Sequence, residues 1–433
     1  MTVRAGMRLL LLVLLLAGIA RAQMWRVDTG TSVTLAAGAL LLCGLFAGKV
    51  AIGLGLPRLT GYLLVGVAVG PYALGFIPGA GVKGLELVKG LALSLIALVA
   101  GTELHLGLLR RVGTKVAVLC AVVCGVTFVV SVGAMFALKG WLPFLATMTV
   151  PQALAVSALV ASVVVSFSPT VTIAVVQETH ARGTFTEFLM ALVIIGDLFV
   201  MVAFALAVGV ARASFGGGLD LAGLVGGVGW ELFGSVLVGA LLAVGMLVYM
   251  RQVQKELPLF LVAISFASAE AGTRLHLSPL LMMLAAGALI ANLDEREGAR
   301  IHHAIQRAGL PVFALFFAAA GAGLKLDALV TVGPIALLMV ALRTVAVWFA
   351  CRRFAPPGDE RLSRYLWMGL ISQAGVSFGL AALISRTFPD FGPQVEVLIV
   401  AMITLNQLVG PILTRRALER SGEIRSDEAP GPA

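Results

Sequence analysis

The feature that most limits the fold is a series of apolar segments, each about long enough to cross a lipid bilayer. The thirteen segments lie at residues 31–52, 57–76, 86–103, 115–138, 152–177, 186–210, 230–250, 257–274, 277–292, 309–324, 331–351, 365–387 and 394–414. A helix needs about 20 mostly apolar residues to cross the bilayer. Charged residues make up only 12% of the chain, about half the share usual in soluble proteins. These features exclude a soluble globule and predict an all-α membrane protein with about 13 transmembrane helices.

The first 22 residues have the pattern of a cleavable signal peptide. Arg4 and Arg8 precede an apolar run over residues 9–20, and the small residues at 20 and 22 have the spacing that signal peptidase recognises. The run is too short to cross the bilayer comfortably, which favours a signal peptide over an additional short helix. Cleavage would place the new N-terminus outside the cell, and thirteen spans would then place the C-terminus in the cytoplasm.

The distribution of basic residues supports this topology. Of the 31 Lys and Arg residues, 19 fall on the predicted cytoplasmic side, 8 outside, three in the first 22 residues and one, Arg343, within a span. An excess of Lys and Arg in cytoplasmic loops is the rule for multi-pass proteins of the cell membrane. The basic residues are dispersed among short loops, so the net charge of +9 reflects topology and no nucleic-acid partner is expected.

The two halves of the chain carry matching motifs. Residues 56–59 (LPRL), followed by Gly66, correspond to residues 277–280 (LSPL), followed by Gly287, at an offset of 221. A second pair, AGTELHL at the end of the third span and AGAGLKL at the end of the tenth, has an offset of 220. Corresponding spans are seven apart, an odd number, so the two copies cross the membrane in opposite directions. This pattern predicts an inverted-topology repeat, an architecture of secondary transporters.

Two spans are interrupted near their centres, the fifth by SFSPT and the twelfth by SQAGVS. Proline removes a backbone donor and leaves carbonyl groups without helical partners. Either interruption alone is better explained as a packing kink, but two at equivalent depth reverse that preference and favour an ion site at mid-membrane. The candidate site residues in these interruptions are Ser166, Ser168, Pro169, Thr170, Gly375 and Ser377.

Two residues of opposite charge lie near the middle of spans, Asp197 in the sixth and Arg343 in the eleventh. Charge inside the membrane is costly and indicates function. Loss of hydration favours a protonated carboxyl group, whereas a nearby cation favours the carboxylate, so Asp197 can hold a proton or a monovalent cation but not both. The alternative is a buried ion pair with Arg343 that only holds helices together. Glu270, towards the outer end of the eighth span, either lines an entrance cavity or faces water.

Motifs of other function classes are absent from the sequence. It contains no P-loop, no dinucleotide fingerprint and no nucleophile elbow. No histidine or cysteine spacing resembles a metal site or a disulfide framework. We therefore expect neither an ATP-driven pump nor an enzyme, and no cofactor.

Several motifs, in this order and spacing, resemble the monovalent cation:proton antiporters of the second cation:proton antiporter family. The signature LPRLTGYLLVG at 56–66 is followed by a Gly-Pro pair, and GTEL, SPT at 168–170, the aspartate of the sixth span and LPVF at 310–313 match the same pattern. The resemblance covers residues 31–415. It implies a homodimer in which a mobile core moves against a dimerisation domain, with the two interrupted helices crossing at the ion site. The implied segments are core spans at about 115–210 and 331–414, dimer spans at about 31–103 and 257–324, and a cytoplasmic tail at 416–433.

The resemblance also assigns roles to single residues. Asp197 matches the ion- and proton-binding aspartate, Arg343 the mid-membrane basic residue, and Asn406 the second-repeat counterpart of Asp197. Members with two adjacent aspartates are associated with electrogenic exchange and those with Asn-Asp with electroneutral exchange, but here the preceding residue is Gly196. A single carboxylate exchanges one proton for one cation, and an arginine releases no second proton, so electroneutral exchange is expected.

The sequence thus predicts a secondary antiporter that exchanges cytoplasmic Na⁺ or K⁺ for protons by alternating access, with the monovalent cation bound at Asp197. Two alternatives remain open at this stage. One is a cation-coupled transporter of an organic solute with the same fold, and the other is a transport-inactive membrane sensor or scaffold.

Overall fold

A computed structural model of the chain describes residues 29–102, 106–216, 226, 229–253, 256–324, 326–373 and 375–424. Its helices in chain order are α1 (Thr29–Gly53), α2 (Arg58–Val69), α3 (Gly79–Lys83), α4 (Glu86–Thr102), α5 (Leu106–Ala137), α6 (Pro143–Ala146), α7 (Val150–Val164), α8 (Pro169–Thr179), α9 (Thr184–Ser214), α10 (Ser235–Gln252), α11 (Leu257–Leu275), α12 (Pro279–Leu293), α13 (Glu295–Ala322), α14 (Leu326–Phe354), α15 (Glu360–Gly369), α16 (Gly375–Thr387) and α17 (Gly392–Ser421). No strand occurs in these ranges, so the all-α prediction is confirmed. The predicted signal peptide lies outside the described residues.

Seven helices in the described ranges are long and apolar enough to cross a membrane, with α7 and α8 counted as one span. The shorter apolar stretches are Arg58–Val69, Gly90–Val99, Pro279–Leu293, Pro311–Ala322 and Val376–Ser385. The prediction of a multi-pass membrane protein is confirmed, while the count of thirteen spans stays a prediction.

The tenth predicted span, 309–324, is the second half of a longer helix. Helix α13 begins at Glu295, where the side chain of Asp294 accepts a hydrogen bond from the backbone N–H of Glu297 at 3.3 Å. An aspartate at this position satisfies a backbone donor that would otherwise lack a partner. Capping chemistry, rather than hydropathy, therefore sets where this helix starts.

The chain divides into two compact units, and each unit combines one segment from the first half of the chain with one segment from the second half. Unit 1 comprises Met1–Leu109 and Val225–Asp327, and unit 2 comprises Arg110–Leu224 and Ala328–Ala433. Such an exchange of segments is what two intertwined copies of a repeat produce. The assignment of a dimerisation role and a transport role to these segments stays a prediction.

In unit 1, glycines let pairs of helices approach until their backbones touch. A β-carbon at Gly66 (α2) would lie 2.0 Å from the carbonyl oxygen of Ala318 (α13), and one at Gly287 (α12) would lie 2.2 Å from that of Leu98 (α4). Both contacts are closer than real β-carbons come, so both positions require glycine. The two contacts are copies of one another, because their glycines differ by 221 residues and their partners by 220.

A second pair of contacts obeys the same symmetry. A β-carbon at Gly101 would lie 2.2 Å from the carbonyl oxygen of Leu284, and one at Gly321 would lie 2.2 Å from that of Leu63. The first contact joins α4 to α12 and the second joins α13 to α2. In both, the second span of one half of the chain packs on the third span of the other half. The repeat predicted from sequence offsets is therefore present in the packing of unit 1.

Unit 2 is built around the interrupted helix α7–α8, which is buried at every residue from Leu159 to Val176, on both sides of the interruption. Its hydrophobic core combines side chains of α7, α9 and α17, among them Val156, Val160, Phe204 and Leu398. Non-helical backbone at membrane depth is tolerated where protein covers it. The central position of α7–α8 meets this condition.

Helix α9, which carries Asp197, is capped by a residue from the far end of the chain. The carboxylate of Glu423 accepts hydrogen bonds from the backbone N–H of Phe185 (2.9 Å) and of Thr186 (2.8 Å). It also accepts a bond from the Thr186 hydroxyl at 2.8 Å and one from Nη1 of Arg361 at 3.3 Å. Acidic groups stabilise a helix N-terminus by hydrogen bonding and through the helix dipole. The described part of the predicted tail thus belongs to the folded unit.

Candidate ion-binding site

The first interruption lies between α7 and α8. The backbone leaves the helix after Val164, and α8 resumes at Pro169, which needs no donor at the first helical position. Ser168 precedes it, and its hydroxyl accepts a hydrogen bond from the backbone N–H of Val171 at 3.2 Å. Ser168 therefore caps α8, while the carbonyl groups at the end of α7 are available to other partners.

The second interruption lies between α15, which ends at Gly369, and α16, which begins at Gly375. Residues 370–373 connect them without helical structure. Helix α17 passes this segment closely, because a β-carbon at Gly410 would lie 2.1 Å from the Ser372 hydroxyl oxygen. Both interruptions predicted from the sequence are confirmed, and both lie in unit 2.

Arg343 of α14 joins the two interruptions. The completely buried guanidinium donates from Nε to Val164 O (2.7 Å), from Nη2 to Ser166 O (2.8 Å) and Leu370 O (3.0 Å), and from Nη1 to Ile371 O (3.1 Å). These carbonyl groups lie at the C-terminal ends of α7 and α15, where the helix dipole is negative. The charge of Arg343 is thus compensated by backbone oxygens.

The buried ion pair considered from the sequence is not formed. Among the described residues, every hydrogen bond of the Arg343 guanidinium goes to a backbone carbonyl group, and Oδ1 of Asp197 has no hydrogen-bond partner. The reason is geometric: two half-helices that end side by side present four acceptors that match the planar fork of an arginine.

Asp197 lies on α9 level with the first interruption. Its neighbour Gly196 packs against Phe167, since a β-carbon at position 196 would lie 2.6 Å from Cδ2 of that ring. Asp197 is 5% exposed, and within the described part of the chain its Oδ1 has no hydrogen-bond partner. A buried carboxyl oxygen without a donor is unstable as a bare anion, so this group calls for a proton or a cation.

A chain of polar side chains connects the two interruptions. The hydroxyl groups of Ser166 and Ser377 are hydrogen-bonded to each other. Nε2 of Gln373 donates to the Ser166 hydroxyl at 3.1 Å, and Nδ2 of Asn406 donates to Oε1 of Gln373 at 2.7 Å. The structure therefore brings together three predicted residues: Ser166 of the first interruption, Ser377 of α16 and Asn406 of α17.

Gln373 is a site residue that is not among the candidates predicted from the sequence, although Gly375 and Ser377 of the same polar stretch are. A neutral amide in mid-membrane is itself a signal of function. Just after the first interruption, Thr170 is buried in the first turn of α8 at 4% exposure, and its role as an ion ligand stays a prediction.

Glu270 belongs to unit 1, whereas the residues of the two interruptions belong to unit 2. Its side chain is 52% exposed and forms an ion pair with Arg274 one turn later, at 2.7 Å. Both interpretations of this residue, an acid of an entrance cavity and an acid that faces water, stay predictions.

Comparison with known proteins adds two findings. The profile of the family described as sodium/hydrogen exchanger, transmembrane, matches residues 37–420. A structure of the sodium proton antiporter MjNhaP1 from Methanocaldococcus jannaschii at pH 8 is similar, with a TM-score of 0.65 and 18% identity over 92% of this chain and 100% of that one. An electron-microscopy map of the same antiporter gives a TM-score of 0.67 and 17% identity over 90% and 98% of the two chains. At this identity the two structures establish a shared fold.

Proposed function

Because this chain belongs to the sodium/hydrogen exchanger family, we propose that it exchanges cytoplasmic Na⁺ for protons and that Asp197 binds the two ions in turn. The buried carboxyl group is neutral when it holds a proton and neutral again when a monovalent cation sits beside its carboxylate. Since one group serves both ions, binding of one displaces the other. This competition couples the two fluxes.

One observation carries the proposal: Asp197 is buried, and Arg343, the other buried charge that the described residues place near the interruptions, is already compensated. Arg343 is committed to four carbonyl groups, so it is not held by the Asp197 carboxylate. A carboxylate left in this position without a partner costs several kcal/mol. A transported ion provides the missing partner.

The stoichiometry that we propose is one cation for one proton. Asp197 supplies a single negative charge, and an arginine stays charged throughout. The hydroxyl groups of Ser166, Ser168 and Thr170, with carbonyl groups of the interruptions, are proposed as neutral oxygen ligands that replace the hydration shell of the cation. Exchange of one positive charge for another moves no net charge, so the transport rate is independent of membrane potential.

The movement that we propose is alternating access of unit 2, which contains the interrupted helices. Unit 1 would form the contact of a homodimer and stay fixed in the bilayer. In this arrangement the N-terminus, after signal cleavage, lies outside and the C-terminus lies in the cytoplasm. Asp197 would then open in turn to each side of the membrane.

The test is proton movement in proteoliposomes that hold an imposed pH gradient. Na⁺, K⁺ or Li⁺ is added in turn, with the membrane potential either clamped or free. We expect Na⁺ to dissipate the gradient in the wild-type protein at a rate that the potential does not change. Asp197→Asn, which keeps the size of the side chain and removes its titration, should reduce the rate to that of empty liposomes.

Asp390→Asn is the matched control, because it makes the same substitution at an exposed aspartate of the same unit. It should transport at the wild-type rate. Folded wild-type protein that moves protons with none of the three cations would contradict antiport, and organic solutes or a non-transport role would then become the better hypotheses. Activity with K⁺ but not Na⁺ would change the proposed cation and leave the mechanism intact.

A further inference from the structure

The orientation of two buried amide side chains follows from their hydrogen-bond partners. Nε2 of Gln373 lies 3.2 Å from Val163 O and 3.0 Å from Val164 O. A carbonyl oxygen can only accept, so the amide nitrogen of Gln373 has to face these groups and its Oε1 has to face Asn406. Because Oε1 also only accepts, Asn406 presents its Nδ2 to Gln373. The end of α7 thus fixes the orientation of both amides.

This orientation leaves Oδ1 of Asn406 as a buried acceptor. Asn406 is fully buried, and Oδ1 has no hydrogen-bond partner among the residues that the structure describes. Burial of an amide oxygen without a donor is unfavourable, so the atom requires an N–H or O–H donor or a cation. Oδ1 of Asp197 has the same requirement.

The two oxygens occupy related places in the fold. Asp197 lies on α9 and Asn406 on α17, and both helices pack against α8. Asn406 is linked through Gln373 to Ser166 in the first interruption, and Phe167, the next residue, contacts the glycine that precedes Asp197. One contiguous set of contacts therefore runs from Asn406 to the residue that precedes Asp197.

We propose that Oδ1 of Asn406 is a ligand of the transported cation, contributed by the second half of the chain. This inference rests on the proposed function. An amide oxygen carries no net charge and takes up no proton at accessible pH. Its contact with a cation is stronger than a hydrogen bond from a neutral carboxyl group, so it stabilises the bound cation more than the bound proton. Asn406 thereby sets the balance between the two competing ions, and Gln373 is the positioning residue that keeps its oxygen available.

Two consequences of this role separate it from a structural one. Without the amide oxygen, the binding of the cation weakens more than the binding of the proton. The KM for Na⁺ rises, and at a fixed Na⁺ concentration a higher pH is needed for the cation to displace the proton. The pH profile of exchange therefore moves to higher pH, which a loss of packing alone would not produce.

The experiment compares Asn406→Leu, which has nearly the same shape and no oxygen, with Thr404→Val. Thr404 is a buried residue on the same helix whose hydroxyl donates to Val400 O at 2.8 Å, so its removal should leave exchange unchanged. In proteoliposomes we expect Asn406→Leu to raise the KM for Na⁺ at least about tenfold, which corresponds to about 1.4 kcal/mol. The maximal rate should change much less than KM.

A second readout is the rise in melting temperature of detergent-solubilised protein on addition of Na⁺, which does not depend on transport. The rise should be present in wild type and Thr404→Val and reduced in Asn406→Leu. If Asn406→Leu has the wild-type KM and the wild-type rise in melting temperature, the inference about Asn406 is overturned. If Asp197→Asn is inactive in the same assay, the proposed antiport still stands. If the wild-type protein shows no exchange, but Na⁺ raises its melting temperature and this rise is reduced in Asn406→Leu, the ligand role is supported and antiport is refuted. If the leucine variant does not fold, Asn406→Ala is measured by the same two readouts.

Discussion

Arg343→Lys tests whether this arginine acts through its charge or through its shape. Lysine keeps the positive charge, so the cost of burying a cation and its attraction to the negative helix ends change little. The donors change, because three nitrogen atoms in a planar fork are replaced by one ammonium group with three N–H bonds. The substitution therefore isolates the four hydrogen bonds that join the two interruptions.

The magnitude follows from counting those bonds. Arg343 reaches four carbonyl oxygens at 2.7–3.1 Å from three different nitrogen atoms, and a single nitrogen can keep at most three of them. A hydrogen bond to a charged group contributes about 1.5–3 kcal/mol, so loss of one or two bonds lowers the free energy of unfolding by about 1.5–6 kcal/mol. With about 2–4 °C for each kcal/mol, the apparent melting temperature should fall by at least about 3 °C.

The assay is thermal unfolding of purified protein in detergent, followed by loss of the monodisperse peak in size-exclusion chromatography. Arg353→Lys is the control, because it makes the same substitution at an exposed arginine of the same helix and should melt like wild type. If Arg343 served mainly to neutralise Asp197, a lysine would serve as well. A melting temperature of Arg343→Lys indistinguishable from wild type would therefore refute the hydrogen-bonding role.

Two further predictions concern contacts that hold each unit together. Glu423→Ala removes the cap of α9 and should lower the free energy of unfolding by about 0.5–2 kcal/mol. The control is Glu419→Ala, at an exposed acid on the same segment, which should have little effect. Equal melting temperatures for the two variants would contradict the capping role. Gly66→Ala places a β-carbon 2.0 Å from a backbone oxygen and should abolish folded protein, whereas Gly245→Ala, with nothing within 4 Å, should express normally. Comparable amounts of folded Gly66→Ala and Gly245→Ala in size-exclusion chromatography would show that the helices of unit 1 do not pack as described.

The features that the sequence predicts best are those that repeat or that stand out locally. Glycines related by an offset of 220 or 221 indicate two copies of one unit, and the symmetric contacts of Gly66 and Gly287 show why the spacing is kept. Proline and hydroxyl residues in apolar segments indicate where helices stop. The resemblance to monovalent cation:proton antiporters is likewise confirmed by the family match over residues 37–420.

The features that the sequence does not predict depend on contacts between distant residues. Arg343 bonds to carbonyl groups 179 residues earlier and 28 residues later, and backbone oxygens leave no mark in side-chain patterns. The only acidic residue at a similar depth was Asp197, so charge alone suggested an ion pair. Glu423 caps a helix that begins 239 residues earlier, and the polar sequence around Glu423 predicts only a tail.

The absence of a second acid beside Asp197 has a physical cause in the packing of the first interruption. Phe167 occupies the space next to position 196, so that even a β-carbon there would come within 2.6 Å of its ring. The guanidinium of Arg343 lies over this ring, with its Cζ 5.9 Å from the ring centroid. The two residues that flank Phe167 are held by hydrogen bonds, because Ser166 O accepts one from Arg343 and the Ser168 hydroxyl accepts one from the backbone N–H of Val171. An aspartate or asparagine at 196 would have to displace Phe167 and with it the contacts that align the two interruptions. The same packing that holds the interrupted helices together therefore limits position 196 to glycine and leaves one carboxylate, which is the physical basis of the proposed exchange of one cation for one proton.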